Sequence, residues 1–174
     1  MPTEHDDDVA RFDPLGLIRV LDEHGVEFVV IGGYAAGVQG AEWVTIDLGI
    51  VYSRTRENHT RLAAALSELD AEPVELPSGV KVHLDERALR AGDVWTLSTR
   101  LGRLDLMGEP APGLDYRSLR PRARLIQGRE SYHVATIDDL IAMKRHAGRP
   151  KDLMQIEILE QVAEVLAEGR DNHP

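Results

Sequence analysis

The stretch VVIGGYAAGVQGAEWVTIDLGIVYS, residues 29–53, decides the reading of this chain. An apolar run ends in two glycines, Gly32 and Gly33, which open a short segment of small residues. A strand ending this way presents backbone N–H groups where no Cβ blocks approach, a geometry suited to phosphate. The same turn also serves as a packing device, and the glycine pair alone does not distinguish the two roles. In VTIDLGIV the apolar period is two. Val44, Ile46, Leu48 and Ile50 point one way and Thr45, Asp47, Gly49 and Val51 the other, which predicts a strand with one polar face. Asp47 stands on that face, and two residues on, where a second carboxylate would share it, the chain has Gly49.

The flanking sequence alternates helices and strands. DPLGLIRVLDEHG predicts a helix with Asp13 as N-cap, Pro14 at the first helical position and Gly25 as its stop. EFVVI predicts a buried strand, and TRENHTRLAAALSELD an amphipathic helix carrying Leu62, Ala65, Leu66 and Leu69. VKVHL, VWTLSTR and GRLDLM predict short strands around the turn PSG. In the last, Leu104 and Leu106 share one face and Arg103, Asp105 and Met107 the other. GEPAPG then forms a joint. Beyond it ARLIQG and SYHVA predict a hairpin or edge strands. TIDDLIAMKRHAG predicts a helix capped by Thr136 and stopped at Gly148, and RPKDLMQIEILEQVAEVLAEG a final helix ending before Gly169. Met143, Leu153 and Met154 read as core residues, and Tyr34 as either a core aromatic or a base-stacking one.

Together these elements predict an α/β (α+β) fold, a mixed sheet flanked by helices with a helical C-terminal segment. The expected layout is an acidic tail over 1–11 and a single domain over 12–174, with a core of about 12–107 and a C-terminal part of about 114–174. With 174 residues and 43% hydrophobic content, the chain is long enough to bury a substantial core. It has no cysteine, which excludes thiolate chemistry and a Cys-based zinc site. No run of about 18 apolar residues predicts a membrane span, and the acidic N-terminus lacks an apolar leader, so the expected location is the cytoplasm with no membrane partner. A formal charge of −10 speaks against a general nucleic-acid coat but constrains no single patch. The segment YRSLRPRARLIQGR carries Arg117, Arg120, Arg122 and Arg124, which suit either an RNA phosphate track or pairing with the surplus of acids. His83, His133 and His146 show no metal-ligand spacing.

Asp105, flanked by leucines in RLDLM, is a second acid that a sheet could bring beside Asp47. Two carboxylates next to a phosphate cradle are what Mg²⁺ uses when it bridges to phosphate oxygens. A surface aspartate paired with Arg103 is the other reading. IGG, a spacer, TIDLG and then RLDLM resemble the nucleotidyltransferase fold of DNA polymerase β type. With MKRHAGRPKDL near the C-terminus, the order resembles more closely a small bacterial branch that includes the AbiEii and MenT-type toxins of toxin–antitoxin systems. The resemblance implies transfer of a nucleotidyl group from an NTP, with Mg²⁺ or Mn²⁺, to a tRNA or protein hydroxyl, and a cognate antitoxin as partner. It implies that Asp47, Asp105, Lys144 and Asp152 serve catalysis, with Asp47 and Asp105 as metal ligands. Gly32, Gly33, Thr45, Lys144 and Arg149 would bind the nucleotide. The other reading of the basic residues around 144–151 is a solvated helix face. The chain departs from the family pattern at Gly49, where a second metal acid belongs, and at Trp43, where Arg is common. The alternative function is therefore a catalytically impaired member that binds a nucleotide or a partner.

Overall fold

A computed structural model of the chain describes residues 12–77 and 79–171. The expected acidic tail, 1–11, lies outside the described residues. The chain forms a seven-stranded mixed sheet flanked by helices, as the alternation of periods predicts. Its elements in chain order are α1 (Pro14–Glu23), β1 (Phe28–Ile31), α2 (Gly32–Gly37), β2 (Asp47–Tyr52), α3 (Arg56–Glu68), β3 (Glu72–Pro73), α4 (Glu86–Ala91), β4 (Val94–Thr99), β5 (Gly102–Met107), α5 (Tyr116–Leu119), β6 (Arg124–Ile126), β7 (Tyr132–Val134), α6 (Ile137–Ala147) and α7 (Pro150–Asp171). The strands lie in the order β3, β4, β5, β2, β1, β7, β6. β2 runs parallel to β5 and antiparallel to β1, while β1 runs parallel to β7, and β3–β4, β4–β5 and β6–β7 are antiparallel pairs.

Local signals set most boundaries. Asp13 caps α1 by accepting the Gly16 amide at 2.9 Å, Thr55 caps α3 and Thr136 caps α6, while Gly148 ends α6 in the left-handed region at φ 63°. Leu48, Ile50, Leu97, Leu104 and Leu106 are fully buried on one face of the sheet, under which α1 packs on α3. On the opposite face β2, β5 and β4 carry Asp47, Gly49, Arg103, Asp105, Thr96 and Ser98, all of them partly or wholly exposed. α2 touches β1, β2 and α6, and α6 packs along α7, so these helices stand around the polar face at the Asp47 end.

Four expectations differ from the structure. β2 starts at Asp47, not Val44, and Val44 is 88% exposed in an irregular loop. The alternation around residue 45 therefore does not extend the sheet, because Ile31 is the last residue of β1 and leaves no strand for 44–46 to pair with. VKVHL forms no strand: Lys81 and His83 are exposed and no neighbouring strand pairs with it. α7 runs through Gly169 to Asp171. Leu153 and Met154 point outward at 62% and 72% exposure, leaving Met143 as the core member of that trio. The short helices α4 and α5 are capped by Asp85 and Asp115, side-chain caps of an ordinary kind on segments too short to show a period.

Candidate functional site

The register between β2 and β5 decides which acids meet. Gly49 lies beside Asp105, and Asp47 beside Arg103, so the two acids occupy adjacent rows of one sheet face. Thr96 of β4 continues the Asp105 row. Burial, then the neighbouring Asp47 carboxylate, pushes the Asp105 carboxyl up to about 6, against the opposing influence of the Thr96 hydroxyl and Arg103. Asp105 Oδ1 is buried with no hydrogen-bond partner among the described residues. Asp47 is better served, with the Thr45 hydroxyl donating to its Oδ1 at 2.6 Å. Thr45 thus orients Asp47 from the loop just before β2.

The glycine pair sits against this corner. Gly32 has φ 73°, a conformation that needs glycine, and the space beside its Cα is open. Gly33 is crowded. A Cβ there would stand 3.0 Å from Trp43 Nε1 and 3.2 Å from Thr45 Oγ1. α2, with six residues, adds only a weak macrodipole, so positive charge at this corner must come from side chains.

That charge comes from the α6–α7 hairpin. Lys144 reaches back from the last turn of α6, its side chain 15% exposed, and donates to Gln155 Oε1 at 2.5 Å. Its Nζ lies 5.8 Å from the centre of the Trp43 ring. Burial depresses the Lys144 amine below the usual lysine value; Asp152 and, more weakly, Asp47 work against that shift. Asp152 is fully buried and accepts the Arg149 amide at 3.0 Å and its guanidinium at 2.8 and 3.2 Å. These bonds from Arg149 hold the Asp152 carboxyl below the usual carboxylate range. Asp152 is thus the N-terminal staple of α7, and Arg149 is its partner there.

Gly33, Trp43, Thr45, Asp47, Asp105, Lys144 and Asp152 form one connected group. Gln155 and Thr96, which no motif marks, belong to it as well. Gln155 meets Lys144 only because the helix hairpin folds back, a contact that spacing along the chain does not reveal. The arginines of the basic segment stand apart from each other in role. Arg122 is bound to both oxygens of Asp139 at 2.7–3.1 Å and to the Ser118 carbonyl at 2.6 Å, which makes it a tie between α5 and α6. Arg120 is half-buried beside Tyr116, and Arg117 and Arg124 are exposed. Tyr34 is half-buried with its hydroxyl 3.2 Å from that of Tyr132.

Two carboxylates are a set suited to Mg²⁺, which keeps several waters and draws its other ligands from substrate phosphate. The unpartnered Asp105 Oδ1 is the kind of donor such an ion satisfies. Among the described residues no group of three or more His, Cys, Asp or Glu gathers to form an all-protein cage. Two surface concavities of about 400 and 500 Å³ lie along α7, and neither is lined by Asp47, Asp105 or Lys144. The carboxylates occupy an open sheet face instead. No protein-family model matches the chain, and no curated protein is significantly similar to it.

Proposed function

We propose that this protein is a nucleotidyltransferase-like enzyme that moves a nucleotidyl group from an NTP to a hydroxyl of RNA or protein. The observation that carries the reading is the pairing of Asp47 with Asp105 on an open sheet face, with Lys144 and the Gly32–Gly33 turn at its edge. A divalent cation held by the two aspartates would neutralise charge on the transferring phosphoryl oxygens. The chain's own residues do the rest by positioning. Lys144 and the backbone of Gly32 and Gly33 hold the β- and γ-phosphates, and Thr45 fixes the rotamer of Asp47. The acceptor hydroxyl gives up its proton to water, its oxygen bonds to the α-phosphorus, and the bond to the bridging oxygen breaks as pyrophosphate leaves. A tRNA acceptor and a toxin role opposed by an antitoxin remain part of this proposal, supported only by the sequence resemblance.

Gly49 supports a second reading, a nucleotide- or partner-binding regulator. It stands directly beside Asp105, where a third carboxylate would complete a two-metal site, and a Cβ there would lie 3.2 Å from Ile31 Cγ1. Incubation with each α-labelled NTP, Mg²⁺ or Mn²⁺ and total tRNA separates the two. Label transfer that Asp47→Asn removes supports the enzyme; nucleotide binding without transfer supports the regulator. Gly49→Asp, combined with Ile31→Val to make room, should raise or create transfer, and should melt lower than wild type without metal because like charges then crowd Asp47 and Asp105. A normally folded double variant that gains neither metal affinity nor transfer would show that this strand is not a metal-binding one.

A further inference from the structure

Trp43 stands at the junction of the two halves of the site. It lies in the irregular loop before β2, between exposed Glu42 and Val44, yet its own ring is packed against the core. Its Nε1 is 3.0 Å from the position of a Cβ on Gly33, and its face is 5.8 Å from Lys144 Nζ. Among the described residues no acceptor takes the indole N–H. Lys144 is also incompletely served. Its amine is 3.8 Å from Asp152, outside hydrogen-bond reach, and both oxygens of that carboxylate are already engaged by Arg149. Gln155 takes one of the three donors of the ammonium. A largely buried cation with donors to spare, next to an unused indole N–H and a glycine without a side chain, favours an anion.

We propose that Trp43 is the positioning residue of a polyphosphate site: its ring face holds the Lys144 ammonium beside the Gly32–Gly33 turn, and its indole N–H donates to a phosphate oxygen seated there. The proposal rests on the reading of that turn as a phosphate site and adds the residue that sets its affinity. It also accounts for Gly33, since a Cβ there would push the indole from its place. A neutral aromatic does here what a second cation would do by charge, through a cation–π contact and one hydrogen bond.

Inorganic tripolyphosphate is the probe, with Trp95→Phe as the background so that Trp43 is the single tryptophan. Tripolyphosphate should change Trp43 emission saturably. Trp43→Phe keeps the ring face and loses the donor, so by calorimetry it should bind about three- to tenfold more weakly. Trp43→Ala loses both and should bind at least about tenfold more weakly. Lys144→Met should shift Trp43 emission in the free protein, which reports the contact of ring and ammonium; the saturable change with tripolyphosphate is the signal that a merely structural tryptophan would not give. If Trp43→Ala does not fold, Trp43→Phe and the emission titration decide. Wild-type binding with unchanged emission, or with equal affinity in Trp43→Phe, overturns the role of Trp43 and leaves the phosphate site standing. Failure of the wild type to bind tripolyphosphate overturns both.

Discussion

Asp105 is the residue on which the electrostatics of the site turn. Its folded-state carboxyl titrates at about 6, above the ordinary carboxylate value, because burial and Asp47 both disfavour its charge. The fold therefore holds a proton that the unfolded chain releases. The stabilisation from that proton is complete below the ordinary carboxylate value and is lost as pH rises through about 6. Asp105→Asn removes the penalty. The variant should exceed wild type in stability at pH 8 by about 1–2 kcal/mol, allowing for solvent screening, with the gap narrowed by about half at pH 5 and closed only below the ordinary carboxylate value. Urea titrations at the two pH values measure this, and a gap that is the same at both would contradict it. The variant should also lose any Mg²⁺-dependent rise in melting temperature. Gly49 and Ile31 are the complementary pair: RLDLM and TIDLG are visible in the chain, but that Ile31 packs beside the missing acid is visible only once β1 and β2 are paired.

The elements are held together at a few polar junctions, of which Asn58 is the clearest. It is fully buried in the first turn of α3. Its Oδ1 accepts from the Glu27 amide at 2.7 Å, and its Nδ2 donates to the carbonyls of Glu27 at 3.1 Å and Ser53 at 2.8 Å. One side chain thus joins α3 to the entry of β1 and the exit of β2. Asn58→Ala strands the Glu27 amide and the Ser53 carbonyl, while the Glu27 carbonyl keeps the Ser53 amide at 3.0 Å, and should cost about 2–4 kcal/mol, read as a lower denaturation midpoint at unchanged slope. A loss below about 0.5 kcal/mol would mean that water replaces the amide. Helix caps such as Asp13, Thr55 and Thr136 are readable along the chain because they act over three residues. Asn58 reaches 31 positions back to Glu27, so its role is not.

Across the molecule, the basic segment divides into structural and available charges. Arg122 is committed to Asp139, whereas Arg117 and Arg124 form no ion pair among the described residues. If RNA phosphates track this surface, Arg117→Ala with Arg124→Ala should flatten the salt dependence of tRNA binding by about two phosphate contacts, with melting temperature unchanged. Arg122→Ala should instead lower stability, since it leaves the buried Asp139 carboxylate without its partner. Equal salt slopes for the double variant and wild type would make Arg117 and Arg124 plain surface charges. Among the described residues no helix is long and apolar enough to cross a membrane.

Hydropathy period, caps and glycines were enough to predict a mixed sheet flanked by helices, every strand except the short β3, and the sharing of a face by Arg103, Asp105 and Met107. These signals are local: a side chain's direction in a strand depends on the parity of its position, and a cap on neighbours three residues away. The pairing of Asp47 with Asp105 depends on a parallel register between strands separated by α3, β3, α4 and β4, and alternation within each strand is the same whichever strand lies beside it. The same holds for Trp43. Its place between Gly33 and Lys144 brings together a loop, a turn and a helix about 100 positions away, and only close packing of the folded chain chooses those neighbours.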